Sequence, residues 1–200
     1  MATTDYKHIL PALVLVESIL PDYKLLLRAP DGHVVSVDYF FEFCLSRASI
    51  EAYEHPTHTY TGALPRGKYI SNDDGTYEII ILPGQKFCWN RFVLCKELFH
   101  VLLDVEDKQR IFAHNDVDAH LEKYMYEDSP DSSPLNVQSE WLAEFAAMEF
   151  LFPHAHRAKQ IDVDSAVLAE RYKVPKQKVE EYMRPKYIEM LDPEFIKKAA

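Results

Sequence analysis

Residues 91–104 read Arg-Phe-Val-Leu-Cys-Lys-Glu-Leu-Phe-His-Val-Leu-Leu-Asp, a stretch with few polar residues. After its first residue, the polar positions are Lys96, Glu97, His100 and Asp104. On a helix of 3.6 residues per turn, these four positions fall on one narrow stripe. A helix that is apolar on every other side belongs in a protein core. Its polar stripe must therefore be paired, hydrogen-bonded or bound to something.

A second stretch of the same kind runs from Val137 to Phe152. We expect Asn136 to cap this helix and Pro153 to stop it, since proline cannot continue a helix. Glu140 and Glu144 are four residues apart and so share one face of the helix. The sequence thus predicts two buried helices, each with a thin polar stripe.

The strand signals lie earlier in the chain. Asp-Gly between Gly67–Ser71 and Thr76–Leu82 predicts a β-hairpin, with residues 77–82 as a mostly buried strand. Apolar and β-branched residues in Tyr23–Ala29 and His33–Tyr39, separated by Pro-Asp-Gly, predict another hairpin. Residues 51–66 have the composition of a loop.

Helical patterns account for most of the remainder. Residues 1–22 are expected to form either one short helix or an extended segment between Pro11 and Pro21. A short helix is expected within 40–49, two helical pieces within 105–126, and a Pro/Ser-rich loop at 127–134. In the tail, Asp164 is placed to cap a helix over Ser165–Tyr172, and Pro175 to begin the next one, up to about Met183. We therefore divide the chain into an N-terminal segment (1–60), a core (61–156) and a helical tail (157–200).

Composition restricts the function. The chain has 200 residues, 48% of them apolar, and a net charge of −10, which disfavours general binding to nucleic acid. The tail carries ten Lys and Arg against eight Asp and Glu, too balanced for a DNA-binding stripe. Three scattered cysteines indicate free thiols in a reducing compartment. Because no signal peptide or membrane span is evident, the expected location is the cytoplasm.

The first stripe carries the chemistry. Lys-Glu-x-x-His differs by one residue from His-Glu-x-x-His, in which two histidines bind zinc and the glutamate is the general base. This chain supplies His100 as a ligand, Glu97 as the base, and Glu140 or Glu144 on the second helix as a further ligand. Lys96 stands where the first histidine would be. A catalytic zinc site needs three protein ligands, so the missing one would have to come from Asp104, His114, His120, His154 or His156.

Two interpretations remain open at this point. In one, a weakened or rearranged zinc site (possible cofactor Zn²⁺) persists around His100. In the other, Lys96 forms a buried ion pair with Glu140 or Glu144 and His100 bonds to the other carboxylate, which preserves the fold without the metal chemistry.

Three segments, in order, resemble the ImmA/IrrE family of zincin-like metallo-endopeptidases. Residues 91–103 resemble its R-F-T-L-A-H-E-L-G-H-L-L-L segment, and residues 140–153 resemble its E-x-E-A-N-x-F-A-A-E-L-L-M-P helix without a gap. Residues 168–174 resemble its L-A-x-R-F-x-V-S segment. The chain departs from these motifs at Lys96, at Phe99 in place of glycine, and at Ala146 in place of phenylalanine.

The resemblance implies an α+β zincin-like domain, with a small sheet packed on two core helices and a C-terminal helical pair. It implies His100 and Glu140 as metal ligands and Glu97 as the catalytic base, with Lys96 at the missing ligand position. It also implies a protein partner, a transcription regulator or repressor, as in the de-repression of phages and mobile elements. Two functions follow as alternatives: a metallopeptidase-related protein acting on such a regulator, or an inactive domain that binds it.

Overall fold

The computed structural model describes residues 9–27, 35–55, 58–59, 66–107 and 135–190. Within these residues the fold is α+β, as the sequence predicts. The strands are β1 (Ile50–Glu54), β2 (Gly67–Ser71) and β3 (Tyr77–Ile81). The helices are α1 (Leu10–Leu27), α2 (Val37–Leu45), α3 (Phe87–Asp107), α4 (Leu135–Leu151), α5 (His154–Ala158), α6 (Ser165–Tyr172), α7 (Lys176–Tyr182) and α8 (Pro185–Met190).

The sheet has the order β1-β3-β2. β2 and β3 form the predicted antiparallel hairpin, and Gly75 in its turn has a φ of 85°, which glycine adopts without strain. β1 pairs with β3 in parallel, so that Ile50 lies opposite Tyr77. The expectation of a loop across residues 51–66 is therefore wrong at its start, because residues 51–54 belong to β1.

Helix α3 is the centre of the core. It packs against β2 and β3 on one side and against α4 and α2 on others. Gly67 permits the close approach of the sheet, because a Cβ there would lie 2.6 Å from Val93 Cγ1. On the α4 side, Phe99 packs against Phe150, and both rings meet Phe40 of α2.

The predicted hairpin across residues 23–39 is wrong. Residues 23–27 continue α1 through Pro21, and residues 37–39 begin α2; residues 28–34, which include the expected turn, lie outside the described residues. Packing explains the difference, because α1 lies against α4 and the Tyr23 ring contacts Phe150 edge-on at 5.1 Å. The Tyr23 hydroxyl also accepts a 2.8 Å hydrogen bond from the Ser36 amide, just before α2.

The second core helix and the tail follow the sequence closely. α4 ends at Leu151, before Pro153, but begins at Leu135, so Asn136 lies inside the helix and is not its cap. Asp164 caps α6 as predicted, accepting from the amides of Ala166 (2.8 Å) and Val167 (3.4 Å). The expected helical pieces and loop over 108–134 lie outside the described residues. No helix in the part of the chain that the structure describes is long and apolar enough to cross a membrane.

Candidate functional site

The polar stripe of α3 is almost completely buried. The exposed fractions are 6% for Lys96, 0% for Glu97, 1% for His100 and 2% for Asp104. Glu140, on the facing helix α4, is 1% exposed. Ionised groups removed from water in this way require partners within the protein, so the contacts among them decide what the site can do.

Lys96 joins the two core helices. Its Nζ donates to Glu140 Oε2 at 2.8 Å and lies 3.1 Å from Glu97 Oε1. Burial by itself lowers the pKa of Lys96, but the charges of Glu140 and Glu97 outweigh it and raise that pKa above the ordinary lysine value. Lys96 is therefore an ammonium group held between two carboxylates.

His100 is fixed on three sides. Its Nδ1 lies 3.0 Å from Ser139 Oγ, within hydrogen-bonding distance, and its ring stacks on Tyr69 with centroids 4.8 Å apart and planes 10° from parallel. Its Nε2 lies 3.1 Å from Glu140 Oε1. That approach is close enough for a charge contact but lacks the alignment of a hydrogen bond. Each Glu140 oxygen thus faces one partner on α3, Lys96 or His100.

Carboxylates outnumber ammonium groups in this cluster, which contains Glu97, Asp104 and Glu140 but one lysine. Within the described residues, neither Asp104 oxygen accepts a hydrogen bond. These carboxylates also act on Tyr69. Burial makes the largest contribution to the raised pKa of its hydroxyl, and the charges of Asp104, Glu97 and Glu140 raise that pKa further. The Tyr69 hydroxyl therefore stays protonated, and the site carries a negative field.

Glu140 and Glu144 have separate partners, although the sequence left the choice between them open. Glu144 accepts from Lys178 Nζ at 2.7 Å and from the Tyr182 hydroxyl at 3.4 Å, which ties α4 to α7. The core pair is therefore Lys96–Glu140. Sequence reasoning missed Ser139, Tyr69 and Lys178. Of these, Ser139 carries a weak signal because it directly precedes Glu140.

The residues do not fit the zinc that the resemblance implies. The two expected ligands, His100 and Glu140, do converge, but the Lys96 ammonium bonds to the carboxylate and has no lone pair for a metal. In the described parts of the chain, no three His, Cys, Asp or Glu side chains are grouped to hold a metal ion. The third ligand that a zinc site requires is thus not supplied by the arrangement around Lys96.

The other expected replacements include four histidines, two of which lie within the described residues. His154 Nε2 lies 2.9 Å from the carbonyl oxygen of Ile188, and His156 Nδ1 lies 3.2 Å from the Tyr172 hydroxyl, so both histidines are engaged in the tail. His114 and His120 lie outside the described residues. The arrangement observed is an ion-paired network that joins α3 to α4.

Comparison with known protein families and with curated protein sequences gives no match to this chain.

Proposed function

We propose that this chain is a zincin-like domain, related to the ImmA/IrrE metallopeptidases, in which Lys96 has taken the place of a zinc ligand. In this proposal the domain binds a transcription regulator or repressor without zinc-dependent peptide hydrolysis. The observation that carries it is the Lys96 ammonium, 2.8 Å from Glu140 Oε2 and 3.1 Å from Glu97 Oε1.

Charge supports this interpretation. The ammonium contacts the carboxylates of the expected third ligand and the expected base, and so neutralises part of the negative charge that a metal would neutralise in an active zincin. A zinc ion would have to displace that ammonium or share Glu140 with it. Repulsion between the two cations opposes such sharing.

The arrangement of elements supports the proposed ancestry. The strand β3, the helix α3, the helix α4 and the tail helix α6 follow one another in the order in which the resembling segments occur. Glu140 meets His100 across the α3–α4 interface, which is where the resemblance expects a ligand pair. In this proposal the chain retains the zincin-like scaffold, and one of its three metal ligands has been replaced.

The convergence of His100 and Glu140 also favours a second candidate, a metallopeptidase with a weakened zinc site. That candidate retains His100 and Glu140 as ligands and Glu97 as the base. It requires Lys96 to leave Glu140 and a further ligand to enter. The two candidates make opposite predictions about metal content.

Metal analysis of the purified wild-type protein separates them. We expect zinc far below one ion per chain, and an unfolding midpoint that a strong chelator leaves unchanged, because the ammonium is bonded to the carboxylate that a zinc ion would need. Near-stoichiometric zinc, lost in Glu140→Ala together with thermal stability, would establish the weakened peptidase instead. Glu149→Ala provides the control for metal content alone, because Glu149 lies on the same helix but pairs with the buried Arg157 at 2.8 Å, so that its loss lowers stability without touching the cluster around Lys96.

A further inference from the structure

Strand β1 is an edge of the sheet, on the side away from Tyr69. In the order β1-β3-β2, the two edges are β1 and β2, and Tyr69 lies on β2. Helix α3 packs mainly against β2 and β3, and the side chains of residues 51–54 are exposed on both faces of β1. Two strand spacings, about 10 Å, separate the two edges. The β1 edge is therefore a different surface from the buried cluster around Lys96.

The backbone of β1 is hydrogen-bonded to β3 on one side and is open on the other. The His55 amide donates to the carbonyl oxygen of Ile81 at 2.8 Å, which continues the parallel ladder. Because the amide and carbonyl groups of successive residues point to alternate sides of a strand, Ala52 and Glu54 direct theirs away from β3. No hydrogen bond to these outward groups is found among the described residues. β1 thus presents unpaired donors and acceptors to an incoming strand.

The exposed side chains of β1 make this edge acidic. Within the described ranges, neither Glu51 nor Glu54 forms a salt bridge. Successive side chains of a strand point to opposite faces, so these two glutamates place one carboxylate on each face of β1. Between them lies Tyr53, which is 40% exposed and donates from its hydroxyl to Glu78 Oε2 at 2.8 Å. The edge therefore combines an open backbone with negative charge on both faces.

Charge decides between two possible occupants of the edge. A second copy of the chain, paired through its own β1, would bring two glutamates from each chain together, and β1 contains no Lys or Arg to balance them. Like charges across a strand pair are destabilising, whereas opposite charges are stabilising. The glutamates thus oppose self-pairing and favour a strand that carries cations.

We infer that β1 binds an extended segment of a partner protein as an additional strand, with Lys or Arg side chains three positions apart opposite Glu51 and Glu54. Main-chain hydrogen bonds to Ala52 and Glu54 hold the segment, and the two carboxylates select its sequence. Nucleic acid is disfavoured, because the same carboxylates repel phosphates. The inference goes beyond the proposed function, since it concerns the opposite edge of the sheet from Tyr69 and does not depend on zinc.

The test uses a short synthetic peptide with arginines three positions apart and valine or threonine elsewhere. A counterpart that is N-methylated at its central residues has the same charges but cannot donate main-chain hydrogen bonds there. We expect N-methylation to weaken binding to the wild-type protein about tenfold or more, as measured by fluorescence anisotropy of the labelled peptides. The unmodified peptide should slow amide hydrogen exchange at Ala52 and Glu54, and should change it less at Glu51 and Tyr53, whose amides face β3.

Matched variants locate the binding. Glu51→Lys combined with Glu54→Lys should weaken peptide binding about tenfold or more. Glu17→Lys combined with Asp162→Lys makes an equal charge change at exposed positions outside the sheet and should leave binding nearly unchanged. Absence of peptide binding, equal binding of the N-methylated peptide, or equal effects of the two double variants would overturn the inference.

Sedimentation of the wild-type protein tests the other occupant. We expect no dimer that depends on β1; a dimer that blocks peptide binding would assign this edge to a second copy of the chain and overturn the inference. Metal content, measured separately, decides the proposed function whatever these experiments give.

Discussion

Two lysines reach the same face of α4, one helical turn apart, and their surroundings differ. Lys96 bonds to Glu140 from the centre of the core, and Lys178 bonds to Glu144 from the tail, at 2.8 and 2.7 Å respectively. The side chain of Lys178 is 15% exposed, against 7% for Lys96. The two lysine–glutamate distances are thus nearly equal, but the Lys96 pair lies in a closed cluster and the Lys178 pair lies near solvent.

The difference lies in what surrounds each pair. Lys178 also contacts Glu181, at 2.8 Å, whose side chain is 24% exposed and retains solvent. Lys96 instead shares its cluster with His100 and with Asp104, a buried carboxylate whose oxygens accept no hydrogen bond from the described residues. The tail pair therefore joins two elements, whereas the core pair also balances negative charge that water cannot screen.

The largest effect on stability is expected from Lys96→Met, because methionine has a side chain of similar length but carries no charge. It leaves Glu97, Glu140 and Asp104 buried without an ammonium, so we expect a loss of about 3–5 kcal/mol in the free energy of unfolding. Denaturant unfolding at neutral pH measures it. Lys68→Met, at an exposed position on β2, is the control and should change stability by less than about 0.5 kcal/mol. Equal effects of these two variants would contradict the role given to Lys96.

A smaller effect is expected from Lys178→Met. Glu144 loses its ammonium partner but keeps the Tyr182 hydroxyl at 3.4 Å, and the site lies near solvent. We expect a loss of about 1–2 kcal/mol in the free energy of unfolding. Relative to the wild type, amide hydrogen exchange should become faster in α6 and α7, and should change less in α3. If Lys178→Met destabilised the protein as much as Lys96→Met does, the distinction between the two pairs would fail.

The parts of the fold that the sequence predicts correctly are those decided by local pattern. The apolar run of α3, the Asp-Gly turn between β2 and β3, and the Asp164 cap of α6 each depend on residues close together in the chain. The α3 stripe likewise identified Glu97 and His100 as buried partners. For the second helix, the sequence predicted a contact between this stripe and either Glu140 or Glu144.

The parts that the sequence does not predict are those decided by distant contacts. Residues 23–27 (Tyr-Lys-Leu-Leu-Leu) are mostly apolar without a clear period, and they continue α1, a helix that packs against α4. β1 has four exposed positions after Ile50 and pairs with β3 across more than twenty residues, so no local pattern marks it. The choice of Glu140 over Glu144 depends on how α3 lies against α4, and the stacking of Tyr69 on His100 depends on the position of the sheet.

Zinc titration of Lys96→His tests whether Lys96 occupies the position of a zinc ligand. This change places two histidines four residues apart on α3, opposite Glu140, and so completes the three-ligand set of a zincin. Lys178→His is the matched control, because it also replaces a lysine bonded to a carboxylate of α4. We predict that Lys96→His binds close to one zinc per chain and is stabilised by it, while the wild type and Lys178→His are not. A Lys96→His protein that binds no more zinc than the wild type would contradict the claim that Lys96 occupies the position of a zinc ligand.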